Sequence, residues 1–286
     1  MRWTCRDGLA DNAGEATVTW IPECALVTGG TSGVGEAAAM ALAEAGVRRF
    51  VITGRHAGRA EAVCARLDEL GASAEAVLAD LSEAGAADAI FAEIDARGLL
   101  ADVLINAAGL TTRTSVLDVD VAAFDELFAV NVRSPVLLCG HFVERLRRAG
   151  APGTVVDVLS IAMHGGCPEI SVYSMTKAAL GIHTRNAAYT LQSEGIRVNG
   201  LALGWTLTPG EDNVMQTTHG ASPGWEGDYA GNLPLGRLLT AEEAGRAICY
   251  LATDASAPMT GSVVTLDQTA YGIRSIHAGL ERSDGD

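Results

Sequence analysis

Short apolar runs alternate with longer helix-favouring stretches along most of the chain, and glycine or a small polar residue marks each junction. Residues 24–28, 49–53, 74–78, 102–105 and 153–159 read as buried strands. Between them, 36–46 reads as a helix closed by Gly46, 57–70 as a second, and 82–98 as a third with Ser82 at its N-cap. From 119 to 149 the pattern predicts one long helix, or two with a break at Pro135. Strands alternating with helices imply right-handed crossovers and a parallel, doubly wound α/β sheet.

At 286 residues the chain suits one large domain, expected over 23–270, after an extension over 1–22 and before a tail over 271–286. Hydrophobic residues make up 48% and aromatics only 5%, which suits close helix-on-sheet packing. A net charge of −15 argues against nucleic acid or an anionic membrane surface as partner. The six cysteines show no C-x-x-C pair and no metal-ligand spacing, so a reducing cytoplasm is the expected location and no metal is expected. The first 23 residues contain no apolar signal region, and no run of 18 apolar residues exists anywhere.

The first strand ends in Thr28-Gly29-Gly30-Thr31-Ser32-Gly33-Val34-Gly35 and a helix follows at once. Such a turn aims backbone N–H groups and the positive helix end at a phosphate, and glycine lets the chain approach it closely. The second strand ends in Gly54-Arg55. An acid there would grip the ribose 2′-hydroxyl of NAD(H), whereas an arginine can pair with the 2′-phosphate of NADP(H), so NADP(H) is the expected cofactor. The third strand exits through Ala79-Asp80-Leu81, which can bring Asp80 near the adenine amino group. The fourth runs into Asn106-Ala107-Ala108-Gly109, small residues that leave room for a cofactor at the strand ends.

One lysine, Lys177, stands among the 20 basic residues, four positions after Tyr173 in a helix-favouring run. A chain this biased toward arginine keeps lysine where a compact ammonium does what a planar fork cannot. Four residues apart on a helix, the ammonium shares a face with the phenol and is expected to lower its pKa toward the working range of an acid or base. Ser160, thirteen residues before Tyr173 at the end of the fifth strand, can hydrogen-bond a substrate oxygen beside it. Asn131 falls inside the 119–149 helical pattern.

With these motifs in order, the chain resembles the classical short-chain dehydrogenases/reductases from about residue 25 to 267. Thr28 to Gly35 is similar to that family's glycine turn, Asn106 to Gly109 to its Asn-Ala-Ala-Gly motif, and Asn131, Ser160, Tyr173 and Lys177 to its tetrad. Arg197-Val198-Asn199 in a sixth strand, Pro234-Leu235-Gly236-Arg237, a helix over 241–253 and a last strand over 259–267 also align. The resemblance implies a seven-stranded Rossmann-type sheet flanked by helices, and a homotetramer or homodimer. It implies hydride exchange between a nicotinamide and a carbonyl carbon while Tyr173 gives or takes the proton. Ser160 would polarise the carbonyl, Lys177 would also hold the nicotinamide ribose, and Asn131 would hold a water linking Lys177 to solvent. Two departures stand out. Leu203 precedes Gly204 where the family usually has proline, in the loop where Thr206 and Thr208 would meet the nicotinamide carboxamide, and Asp267-Gln268-Thr269 replaces Asp-Gly-Gly.

The family's substrate cover would fall at about 205–232. Here it carries Trp205, Trp225, Glu211, Asp212, Glu226 and Asp228, and no lysine or arginine lies within 209–232. Such a cover suits a hydroxylated or amine-bearing guest, a sugar, polyol or aminocyclitol, and His164 and His219 are further candidates to touch it. The expected activity is therefore interconversion of a ketone and a secondary alcohol on a small polar molecule. A 3-oxoacyl carrier-protein reductase shares every motif but should show a basic patch for its acidic carrier. A non-catalytic nucleotide sensor should show a broken tetrad.

Overall fold

A computed structural model of the chain describes residues 20–218, 220–231 and 233–269. Most of the expected N-terminal extension, the C-terminal tail and His219 lie outside them. Seven parallel strands form one sheet in the order β3-β2-β1-β4-β5-β6-β9: β1 (Cys24–Thr28), β2 (Arg49–Gly54), β3 (Ser73–Leu78), β4 (Val103–Asn106), β5 (Gly153–Ser160), β6 (Ile196–Leu203) and β9 (Val263–Leu266). Two short strands, β7 (Thr206–Leu207) and β8 (Leu239–Thr240), pair separately.

Helices cover both faces. On one, α1 (Gly33–Glu44), α2 (Ala57–Glu69) and α9 (Ala241–Ala252) contribute Leu42, Leu67 and Ile248 to a core. On the other, α3 (Ala86–Ala96), α5 (Ser134–Ala149) and α6 (Ser171–Leu191) contribute Phe91, Phe142 and Leu191. The abundance of small residues is used directly: a Cβ on Gly245 of α9 would lie 2.5 Å from the Ala37 carbonyl of α1, so these helices meet backbone to backbone. The remaining helices are α4 (Val121–Phe128), α7 (Pro209–Thr218) and α8 (Glu226–Ala230).

Two helix boundaries differ from expectation. Helix α3 starts at Ala86, with Gly85 at its N-cap position. Ser82 instead donates its backbone N–H and its hydroxyl to Asp80 Oδ1 at 2.9 and 2.8 Å, a local turn that competes with helix. The 119–149 pattern is two helices, but a π turn at Ala129–Arg133 separates them, upstream of the proline. Pro135 sits in the first turn of α5, where its missing N–H leaves nothing unpaired. Helix α9 opens on a capping box between Thr240 and Glu243, and Arg237 holds the Glu243 carboxyl down to about 2.

Strand order reverses between β1 and β4, where register aligns Thr28 with Asn106, and Asn106 with Asp157. In an open α/β sheet, ligands bind outside the carboxyl ends of the strands at this reversal.

Candidate active site

A cavity of about 790 Å³ opens at that point, lined by Gly29, the Thr31–Gly35 turn, Arg55, Asp80, Leu81, Ala107, Gly109 and the Thr208–Asp212 start of the cover. Asn106 ends β4 in register with Thr28, and Gly204 follows β6 with its N–H on the Leu266 carbonyl; neither lines the cavity. Close backbone approach dictates the glycines. A Cβ on Gly29, whose φ is +62°, would lie 2.7 Å from Ala108 Cα, and one on Gly35 would lie 2.4 Å from the Gly29 carbonyl oxygen. The turn therefore packs backbone against backbone at the head of α1, whose N-cap Ser32 makes no side-chain capping bond.

At Gly54 a Cβ would meet Thr31 Oγ1 at 2.6 Å, so Thr31 fills the space an acid would need. Arg55 stands at the rim with its Nη1 3.9 Å from Asp80 Oδ2. The Asp80 carboxyl is held below its usual range chiefly by hydrogen bonds from Ser82, with Arg55 a smaller contributor.

Ser160 ends β5, and its Oγ accepts from Ala162 N at 3.1 Å. Tyr173 and Lys177 lie in the first two turns of α6. Lys177 is 4% exposed; its Nζ donates to the Val158 carbonyl at 2.7 Å and lies 5.8 Å from the centroid of the Tyr173 ring. Burial draws the lysine down to about 8, against an opposing pull from Asp157. Tyr173 departs from the sequence expectation. Burial raises its phenol above the ordinary value, hydrogen bonding with Ser160 and Thr111 pulls it back, and the Glu211 charge raises it further. The ammonium faces the ring and a carbonyl, so it is not what draws the phenol down here.

Asn131, in the π turn, accepts from Leu110 N at 2.8 Å and donates to Leu110 O at 2.9 Å and Thr176 Oγ1 at 3.1 Å. It ties the loop after β4 to α6 and so satisfies backbone groups. A Cβ on Gly109 would stand 3.5 Å from both Asn131 Oδ1 and Lys177 Nζ, which places the two side chains around one point.

The cover is built around aromatic rings. Met215, Trp225 and Leu238 are buried together, with Trp205 packed on them. The Trp205 ring lies tilted 5.4 Å from Trp225 and edge-to-face 4.9 Å from Tyr229. Trp205 Nε1 donates to Glu211 Oε1 at 2.8 Å and Trp225 Nε1 to Asp212 Oδ1 at 3.0 Å. Two of the four cover acids thus hold indoles, which limits the free field expected from sequence. Thr208 Oγ1 accepts from Glu211 N, and Thr206 Oγ1 donates to the Gly204 carbonyl. The Gln268 departure has a structural use: its Oε1 accepts from Leu235 N and its Nε2 donates to the Arg237 carbonyl, fastening the end of the cover to β9. His164 lines a separate cavity of about 440 Å³ with Met163 and Cys167, on the loop after Ser160.

Thr111, Thr176 and Asp157 also belong to the site and carried no motif. Only Asp157 had a signal in the sequence, a lone acid inside an apolar strand. Among the described residues no group of three or more His, Cys, Asp or Glu could hold a metal ion, and no helix is long and apolar enough to cross a membrane.

Residues 29–268 match the family model described as enoyl-(acyl carrier protein) reductase. The chain is 34% identical over 244 residues to cis-4-hydroxycyclohexanecarboxylate dehydrogenase of Sinomonas cyclohexanicum, covering 85% of this chain and 94% of that protein. A solved short chain dehydrogenase/reductase family protein superposes with a TM-score of 0.73 at 36% identity, over 86% of this chain and 95% of the other. A 3-oxoacyl (acyl-carrier-protein) reductase from Agrobacterium tumefaciens C58, solved with NADP bound, superposes with a TM-score of 0.78 at 27% identity, over 87% and 94%.

Proposed function

The chain belongs to the short-chain dehydrogenase/reductase family and is an oxidoreductase acting on CH–OH and C=O groups; we propose that it uses NADP(H) to interconvert a ketone and a secondary alcohol on a small, polyhydroxylated or amine-bearing ring. One observation carries this reading: the Tyr173 ring faces the buried Lys177, its hydroxyl hydrogen-bonds with Ser160 and Thr111, and Thr111 and Glu211, which both act on that hydroxyl, line the cofactor-sized cavity.

Gly29 to Gly35 would receive the pyrophosphate, Arg55 the 2′-phosphate, and Asp80 and Leu81 the adenine side. Asn106, Ala107 and Gly109 would line the ribose path, and Gly204, Thr206 and Thr208 the carboxamide end. The cofactor, when bound, supplies or accepts the hydride. Ser160 holds the carbonyl oxygen, and Tyr173 donates a proton to that oxygen as the carbon is reduced, or removes it from the alcohol in reverse. A phenol that burial keeps protonated suits the donor role near neutral pH. Lys177 would hold the nicotinamide ribose beside the ring and would meet the phenolate only on leaving the Val158 carbonyl, and Asn131 holds the adjoining loop and α6 in register for both.

The substrate class rests on Glu211, whose charge reaches Tyr173 and whose Oε1 is anchored by Trp205. A hydroxyl or ammonium close to the reacting carbon would donate to it, with Asp212 and Trp205 bordering the guest, while His164, in the separate cavity, is left out of that contact. The relative named for hydroxycyclohexanecarboxylate supports an alicyclic alcohol; the acids here disfavour its carboxylate. A 3-oxoacyl carrier-protein reductase is the second reading, favoured by the NADP-bound neighbour of that name and opposed by the net charge of −15. Turnover with NADPH on ketosugars, aminocyclitol ketones and 3-oxoacyl thioesters tests both, and reduction of the thioester alone would reject the polar-ring substrate.

Two outcomes are expected of variants here. Arg55→Ala should weaken NADPH about thirtyfold in a fluorescence titration, the loss of one charge-assisted pair of about 2 kcal/mol, and leave NADH nearly unchanged. An unaltered NADPH-to-NADH ratio would remove Arg55 from the 2′-phosphate. Glu211→Gln keeps an acceptor for Trp205 Nε1 and deletes the charge, so KM for an amine-bearing ketone should rise about tenfold while KM for cyclohexanone stays unchanged. Equal effects on both ketones would rule out charge recognition.

A further inference from the structure

Asp157 is fully buried in the middle of β5, and nothing in the proton transfer described above uses it. Its Oδ1 accepts from Asn106 Nδ2 at 2.8 Å, and its Oδ2 lies 2.8 Å from Thr184 Oγ1. The next residue along, Val158, supplies the carbonyl that receives the Lys177 ammonium at 2.7 Å. Lys177 and Thr184 lie two turns apart on the same helix, so α6 brings both to this one stretch of strand.

Resting on the reading that Lys177 serves Tyr173, we propose that Asp157 is a positioning residue for that lysine: its carboxyl group, anchored by Asn106 and Thr184 one residue from the carbonyl that holds the Lys177 ammonium, keeps that ammonium charged beside the Tyr173 ring. A buried ammonium with only a carbonyl to meet it would be strongly disfavoured, and a nearby carboxylate offsets part of that penalty. Burial draws Lys177 down to about 8 while Asp157 acts upward.

The hydrogen bonds around Asp157 allow the carboxyl to exist in two protonation states. Thr184 Oγ1 lies 2.8 Å from Asp157 Oδ2 and 2.9 Å from the Leu180 carbonyl, yet has one proton to give. Directed at Asp157, it supports the carboxylate. Directed at Leu180, it leaves the Thr184 oxygen to accept a proton from a neutral Asp157. Rotation of one hydroxyl therefore suffices to accommodate either form. Burial raises the Asp157 pKa, while Asn106, His183, Thr184 and Lys177 favour the charged form.

The titratable groups facing Asp157 are few. On α6 they are Lys177 and His183, whose Nε2 is buried and meets no hydrogen-bond partner among the described residues. On α5 the Cys139 thiol is pushed up to about 12 by burial and by Asp157, too high to compete near neutrality. Its register partners on β4 and β6, Asn106 and Gly200, do not titrate. Around Lys177, the π turn and the loop after β4 present Asn131 and Gly109, and its own helix presents Tyr173.

Asp157→Asn isolates the charge. Its amide can accept from Asn106 and donate to Thr184 Oγ1, while Thr184 donates to Leu180, so every hydrogen bond has a counterpart. Because Lys177 is the only lysine, protein grown on lysine carbon-13 labelled at Cε gives a single ε-carbon resonance, whose pH titration reads the ammonium directly and without turnover. In the parent protein the midpoint is expected near 8, and in Asp157→Asn about one pH unit lower. The alkaline limb of ketone reduction should move to lower pH with it. Coincident midpoints overturn the proposal. Should that variant fail to fold, Thr184→Val, which deletes a donor to the carboxylate, is expected to move the midpoint the same way by less; a midpoint equal to the parent's again overturns it. A displaced resonance in a protein that reduces no ketone would reject the functional reading and leave the charge coupling of Asp157 to Lys177 standing.

Discussion

Tyr173→Phe should lower kcat for ketone reduction about a thousandfold, within the range that a positioned proton donor contributes, while NADPH still binds. The ring remains in the first turn of α6 and its face still meets Lys177 at about the same distance, so the cavity keeps its shape. What disappears is the hydroxyl that hydrogen-bonds with Ser160 and Thr111. Ser160 cannot replace it, because a serine hydroxyl is too weak an acid. Loss of those bonds should lower stability by only about 1 kcal/mol, separable from the kinetic effect by thermal melting. Activity within tenfold of the parent would mean that the proton comes from elsewhere.

Gly35→Ala is expected to weaken NADPH binding at least about a hundredfold and to lower Tm by several degrees, from an overpacking penalty of about 1–3 kcal/mol. The added Cβ would lie 2.4 Å from the Gly29 carbonyl oxygen and 3.1 Å from Gly30 Cα. Both are backbone atoms, so the turn itself must move, and with it the N–H groups that would meet the pyrophosphate. Gly140→Ala is the matching control. That glycine is exposed in α5 with nothing within 4 Å of an added Cβ, so alanine there should leave binding alone and stabilise slightly. If both variants bound NADPH like the parent, the glycine turn would not be a phosphate cradle.

Much of the architecture was legible because it depends on local pattern. An apolar run, a glycine turn and a helix-favouring stretch each determine their own conformation, and their repetition determines a parallel sheet. The failures occurred where two local preferences competed. Ser82 could cap a helix or bond to Asp80, and Asp80, two residues away, won. Pro135 suggested a break, but a proline in a first turn is compatible with helix, and the interruption went to the Asn131 turn instead. The tetrad could be found by spacing, since Tyr173 and Lys177 share a helix face wherever that helix packs.

The cover shows the limit of such reading. Its four acids could be counted, but that Glu211 and Asp212 would each accept an indole N–H depends on Trp205 and Trp225 folding together, and Trp225 is thirteen residues from Asp212. Gln268 likewise acquires its purpose from Leu235 and Arg237, more than thirty residues away.

By itself, then, the amino-acid order determined the alternation of strands and helices, the glycine cradle, the absence of an acid after β2 and the Tyr–Lys face, since each follows from neighbours along the backbone. Only the tertiary structure decided the state of the reacting groups. Whether a phenol is raised or lowered depends on which groups surround it, and the burial that raises Tyr173 and draws Lys177 down, with Asp157 opposing the latter, comes from a strand, a loop and a helix that meet only when the sheet has formed.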